Sequence, residues 1–277
     1  MDAIKRGAVF LAIAFVLGLL LAFVLPHERG RAAEDKKLLV GVGDDITGRL
    51  MEQILQRYQA DGEESLARAG EEGTPLQMGE QDLDSYLFID CCSNAGQWSL
   101  LTKDIDLGFY CSHISVAIVN QSEGFSIYGP AVMNGEVLGY WEEPEDIRTM
   151  AIPMKREHLA ELVREEYPWV ESIREISATS ILYAFGDRQV DGAVMDIARA
   201  FQMPEYQYTH VSDQDYVSYC LVVRDDIVDT PQFQTFIQYY NEIVEELNNK
   251  ENLQALYGMD DAFWENVNLK FLYLPEP

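Results

Sequence analysis

Positive charge is scarce in this chain: 20 Lys and Arg stand against 47 Asp and Glu, a formal net charge of -27. So acidic a polymer repels phosphate backbones, which excludes nucleic acid as its main partner. Cysteine and histidine are scarce too, with four of each. Four cysteines are too few for a disulfide scaffold and enough for one small site. No G-x-S-x-G, H-E-x-x-H, P-loop or dinucleotide fingerprint occurs, so the chain does not read as an enzyme and no cofactor is expected. What it has is apolar content, 48% of 277 residues, enough for two ordinary lobes and too much for a disordered or fibrous chain.

Lys5 and Arg6 precede an apolar run over 8–25, broken only by Gly18 and followed by Pro26 and the charged stretch 27–31. The run exceeds the roughly 7–15 residues of a cleaved signal core and approaches the ~20 that span a bilayer. Gly30-Arg31-Ala32 offers small residues for cleavage, so residues 1–33 read as a signal peptide or a signal anchor. The basic flank holds the N-terminus in the cytoplasm and puts the rest outside, in the periplasm or at the cell surface.

Beyond that segment the pattern alternates. A strand over 38–43 leads through Asp44-Asp45 into a helix with Leu50, Ile54, Leu55 and Tyr58 on one face, expected to end near Ala60. The acidic stretch 61–73 reads as a surface connection. Strands are expected over 76–79, 86–89, 105–110, 125–128 and 137–141, then over 150–152, 173–176, 190–195 and 217–223. Helices fall between the later ones. Phe233, Phe236, Ile237, Tyr240, Ile243, Val244 and Leu247 form the clearest helical stripe, as core packing. Lys103-Asp104-Ile105-Asp106-Leu107 is echoed by Arg188-Gln189-Val190-Asp191-Gly192, as two equivalent α/β lobes would produce. Asp106 and Asp191 read as hydrogen-bond acceptors at strand edges.

Ligands of open α/β sheets bind beyond the carboxyl ends of strands, where helix N-termini point. Cys91, Cys92 and Ser93 follow one such strand, and Cys111, Ser112 and His113 follow another. A helix N-terminus favours the thiolate, and soft thiolates select thiophilic metals or metalloids, so Cys91, Cys92 and Cys111 form a candidate metal site. In an oxidising exterior Cys111 could equally pair with Cys91 or Cys92 as a staple, the adjacent two could form a labile redox bond, or the thiols could simply be buried. Cys220 reads as a small buried residue. His113 either lines the cleft or caps its helix, while His158 and His210, with no motif around them, read as solvated. Thr179 and Asp196 are the weaker ligand candidates of the second lobe, and Tyr128 is either a stacking wall or core.

The segments LVGVG (39–43), IDLGFYCS (105–112), EDIRTMAIP (145–153) and GDRQVDGAVMD (186–196), in this order after an export segment, resemble the extracytoplasmic solute-binding proteins of ABC transporters. The resemblance implies an α/β, two-lobed periplasmic-binding-protein-like fold of the type II form, with a cleft between lobes and an N-terminal hydrophobic helix before it. Lobe 1 would comprise 38–144 and 212–277, and lobe 2 would comprise 145–211. Hinges would lie near 142–146 and 209–215. The implied partners are a small-molecule or soft-metal solute, an ABC transporter permease, and the membrane through the N-terminal helix. A narrower resemblance, FIDCCSNAGQWSLLTKDIDLGFYC (88–111), is to the Sao-type substrate-binding group, in which some members carry selenocysteine, and it implies a thiol-seeking ligand. Two other readings are a membrane-anchored sensor or adaptor that keeps the receptor fold, and a thiol-dependent enzyme with His113 as base.

Overall fold

The computed structural model describes residues 37–72, 83–87, 97, 100–102 and 104–276. The apolar N-terminal run and the expected strand over 76–79 lie outside them. Among the described residues no helix is long and apolar enough to cross a membrane.

The chain opens with β1 (Leu38–Val42), α1 (Ile46–Glu72), β2 (Leu83–Leu87), β3 (Leu107–Cys111), α2 (Ser112–Gln121) and β4 (Phe125–Met133). It continues with β5 (Glu136–Tyr140), β6 (Thr149–Pro153), α3 (Glu157–Glu166), β7 (Ser172–Ile176), α4 (Ala178–Gly186), β8 (Gly192–Asp196), α5 (Ile197–Ala200) and β9 (Gln207–His210). It closes with β10 (Val217–Arg224), α6 (Pro231–Leu247), α7 (Lys250–Tyr257), α8 (Asp261–Asn266) and β11 (Lys270–Phe271). Two sheets result, in the orders β11-β4-β10-β3-β1-β2 and β7-β6-β8-β5-β9. Each carries three parallel strands, β2-β1-β3 and β7-β6-β8, extended by antiparallel partners.

The echo in the sequence is a structural one. Val40 lies opposite Leu107 in the first sheet, as Met150 lies opposite Gly192 in the second. The Asp just before each third strand ties down the start of the first strand. Asp106 accepts from the Leu39 amide at 2.9 Å, and Asp191 accepts from the Thr149 amide at 2.7 Å. Asp106 also pairs with buried Arg224 at 2.6 Å.

Two expectations are corrected here. The acidic stretch 61–72 is helical and extends α1 to Glu72. Its Glu, Ala and Arg residues favour helix, and Gly62 and Gly70 each cost only about 1 kcal/mol there. Strand β5 pairs with β8 and β9, so it belongs to the second sheet although the sequence boundary put 136–140 in lobe 1. The chain changes sheets at Asn134–Gly135, and returns between His210 and Val217. Asn134 adopts a left-handed φ of 54° at the first change. It is held there by bonds from its amide nitrogen to Asp215 (2.7 Å) and from the Tyr216 amide to its oxygen (3.0 Å).

The helix stripe behaves as its spacing requires. Thr230 caps α6 by accepting from the Phe233 amide, Pro231 occupies the first turn, and the apolar face from Phe233 to Leu247 is buried. At the other end of the first sheet the β1–α1 turn is very tight. A Cβ on Gly48 would lie 1.9 Å from the Gly43 carbonyl oxygen. Gly48→Ala is therefore expected to force that turn apart and cost about 2 kcal/mol or more, read as a lower midpoint in urea unfolding.

Candidate ligand cleft

The carboxyl ends of β1 and β8, one from each sheet, meet, and each of these two junctions contributes a polar side chain at the start of a helix. Asp45, between β1 and α1, accepts from the Thr47 amide (3.0 Å), the Gly48 amide (3.2 Å) and the Thr47 hydroxyl. Asp196, at the end of β8, caps α5 by accepting from the Ala198 amide at 2.9 Å. The same carboxylate reaches the other sheet's elements. It accepts from the Ile46 amide at 3.0 Å and from the Tyr219 hydroxyl at 2.7 Å. Arg199 of α5 pairs with Asp44 beside α1. These contacts join the two halves.

Arg156, before α3, pairs with Glu136 at the start of β5, and both are buried. Its other terminal nitrogen donates to the Tyr219 hydroxyl at 3.1 Å, and its guanidinium lies 5.3 Å from the Tyr219 ring centroid. Glu136 also accepts from the Ser218 hydroxyl. A continuous chain therefore runs from Glu136 through Arg156 and Tyr219 to Asp196 and the α1 N-terminus. Burial pushes both acids up. Asp45 rises because its carboxylate is desolvated, against the bonds from Thr47 and Gly48. Asp196 is pushed up to about 7, first by desolvation and then by the charge of Asp45.

Beside this chain two imidazoles meet. His113, on α2 of the first half, lies with its ring centroid 6.0 Å from that of His158, on α3 of the second, and His158 lies 6.2 Å from Tyr216 in the return crossing. Both ring nitrogens of His113 are buried and have no hydrogen-bond partner among the described residues. A buried imidazole left so loses several potential bonds to water, and native interiors rarely tolerate it.

The expected site residues divide into three groups. Cys91, Cys92 and Ser93 lie outside the described residues. Cys111 is the buried last residue of β3, Ser112 begins α2, and His113 and Asp196 stand in the cleft as described. The remaining two are peripheral. Thr179 is exposed at the start of α4, 3.0 Å from the Ser177 hydroxyl. Tyr128 belongs to the packing of the first half, its ring edge-on to Phe233 (4.9 Å) and its hydroxyl donating to the Pro275 carbonyl (2.8 Å). His158, read as solvated, faces His113 instead, whereas His210 sits 2.9 Å from exposed Asp213. Asp45, Glu136, Arg156 and Tyr219 are members the sequence reading did not single out, because each gains its meaning only from partners far along the chain. Among the described residues no group of three or more His, Cys, Asp or Glu gathers to hold a metal ion.

No protein-family model matches the chain, and no curated protein matches it. Solved structures do. A ligand-binding component of an ABC-type import system from Staphylococcus aureus, with zinc bound, superposes with a TM-score of 0.63 at 12% identity, over 86% of each chain. The methionine-binding protein MetQ superposes with a TM-score of 0.59 at 16% identity, over 86% of this chain and 99% of its own. A nutrient-binding protein from Burkholderia cenocepacia bound to methionine gives 0.53 at 14%, over 77% and 96%. The chain thus has the α/β, two-lobed periplasmic-binding-protein-like fold of these import components.

Proposed function

We propose that the chain is the extracytoplasmic substrate-binding component of an ABC importer, which closes over a small solute and delivers it to a membrane permease. The observation that carries this reading is His113. Its ring nitrogens, without a partner among the described residues, sit where the two halves meet, and a guest held between the halves satisfies them. Closure needs a guest that binds the shut form better than the open one, and side chains from both halves supply that difference. The chain's role is capture and release with no covalent step. The export-type N-terminal segment supports a location outside the cytoplasm, with 1–33 as the anchor or as a removed signal. The sheet changes at 134–135 and 211–216 act as the hinges; the expected first hinge at 142–146 instead connects β5 and β6 within the second sheet, so the crossing just before β5 takes its place.

Cys111 gives this reading a soft-donor branch. It is buried at the end of β3, two residues before His113, and with Cys91 and Cys92 it would hold a thiophilic metal, metalloid or organometal compound.

Thermal unfolding of the full-length chain in mild detergent tests both. The panel comprises amino acids, sulfonates, oxyanions and soft metal ions at about 1 mM. A guest of micromolar affinity then adds about 4 kcal/mol, and His113→Ala is expected to remove most of that gain. Loss of the metal response alone in the Cys91→Ser, Cys92→Ser, Cys111→Ser variant supports the soft-donor branch, and an unchanged metal response ends it. A panel without any response contradicts the receptor reading.

A further inference from the structure

We propose that a cavity at the end of the second sheet remote from the cleft binds a small organic cation with a methylated ammonium head. This site is separate from the guest cleft of the receptor reading. The cavity measures about 360 Å³, within the roughly 300–1,000 Å³ of small-molecule sites. Tyr140, Tyr206 and Tyr208 line it from β5 and β9 and the approach to β9, and Asp260, Phe263 and Asn266 line it from α8 and the turn before it. Tyr140 ends β5 opposite Gln207, the first residue of β9, whereas Glu136 starts β5 opposite Asp196 in the cleft. The length of β5, about 14 Å, therefore separates the cavity from the cleft.

Packing holds the rings in place before any guest arrives. Tyr206 stands edge-on to Trp141 (4.7 Å) and Tyr208 edge-on to Phe263 (5.6 Å), and the Tyr208 hydroxyl donates to the Met203 carbonyl at 2.8 Å. Gly258 ends α7 with a left-handed φ of 70°, and the turn that follows sets Asp260 before α8, where its carboxylate accepts from the Phe263 amide at 2.8 Å. Asp260 is exposed and has no basic partner among the described residues. None of the described residues lining the cavity is Lys, Arg or His. Arg188 lies over the Trp141 ring at 4.1 Å and lines a separate cavity. Burial first, and then the charges of Glu143 and Glu145, pushes the Tyr140 phenol up, and burial followed by Glu205 does the same to Tyr208. The phenols stay neutral and their surroundings are negative. Electron-rich ring faces beside carboxylates attract a cation, and the methyl groups of a quaternary ammonium suit an aromatic wall.

Calorimetric titration of the full-length chain in mild detergent compares choline with 3,3-dimethylbutan-1-ol, which has the same shape with carbon in place of the charged nitrogen. Choline is expected to bind about fivefold tighter or more, and to weaken as salt is added. Asp260→Asn keeps a side chain that caps α8 and removes the charge, and it is expected to weaken choline about threefold or more. Tyr206→Leu is expected to weaken choline further, whereas Tyr206→Phe, which keeps the ring face, is expected to retain most of the affinity. Equal affinity for choline and the alcohol, no binding of choline, or choline binding unchanged by Asp260→Asn overturns the site and leaves the receptor reading standing. The comparison of choline with its neutral counterpart uses the unmodified chain, so it holds even where a variant folds poorly.

Discussion

Raising the pH from about 5 to about 8 is expected to destabilise the chain, by an amount on the order of a few kcal/mol, and Asp196→Asn is expected to flatten most of that slope. In the unfolded chain an Asp carboxyl gives up its proton near 3.8, whereas in the folded chain Asp196 keeps it until about 7. Between those values the folded state binds the extra proton, so stability falls as pH rises through the window. Asp45 is displaced in the same direction by burial and adds to the effect. Asp191 and Asp215 are displaced downward, by bonds from Thr149 and from Lys270 and Asn134. Their contributions belong to more acidic solutions, below the ordinary range for Asp, and do not oppose the trend. The groups facing Asp196 are Tyr219 from β10, Asp45 and the Ile46 amide at the start of α1, and Arg156 just before α3. Only the two acids change charge under these conditions. Urea midpoints taken across the pH series measure the slope, and a stability that rises from pH 5 to 8 contradicts the assignment.

The second large effect concerns Arg156. Arg156→Met leaves the Glu136 carboxylate with its side chain 0% exposed and without its counter-charge. Breaking one side of such a pair costs about 3–5 kcal/mol. For a chain of this size, that lowers the unfolding temperature by roughly 10 °C. Adding Glu136→Gln to the same chain removes the stranded charge and is expected to recover much of the loss. Arg57 provides the contrast. It pairs with Glu246 at 2.6 Å in partly exposed surroundings, and Arg57→Ala is expected to cost less than about 1 kcal/mol. Calorimetric melting of the three variants separates the cases, and equal losses for Arg156 and Arg57 contradict the account of the buried pair.

Several parts of this architecture are legible in the sequence because their signals are local. The stripe of α6 repeats every three to four residues, and its Thr230 cap and Pro231 stand next to it. Asp106 and Asp191 fall at the same place in two similar strings, so their common role at the start of β3 and β8 shows as an echo. His113 is readable because it follows a strand and opens a helix. The remainder of the cleft has no local signal. The Ile46 amide and Asp196 are 150 positions apart, and Asp44 and Arg199 are 155 apart. Asp45 looks like any helix cap and Arg156 like any charged residue before a helix. His158 looks solvated because no motif surrounds it. β5 is misplaced by the sequence for a related reason. Its apolar alternation identifies a strand but says nothing of which sheet accepts it, and that choice is made by pairing with β8, more than fifty residues later. The cysteines illustrate the opposite hazard, since a conspicuous residue type draws a site towards itself, while the described part of the cleft is built mainly from carboxylates, imidazoles and tyrosines.

In the proposed receptor the two halves move against each other about the crossings at 134–135 and 211–216, and the contacts of Asp196 and Arg199 hold them shut. Pulsed electron spin resonance measures this directly, with labels carried by non-natural residues at Val116 on α2 and Tyr183 on α4, which are 49% and 75% exposed on opposite halves. The unmodified chain is expected to give one narrow distance. With Tyr219→Phe and Arg199→Ala together, a second, longer distance is expected, and it should diminish when a stabilising solute is added. The same single narrow distance in both chains would contradict the clamp.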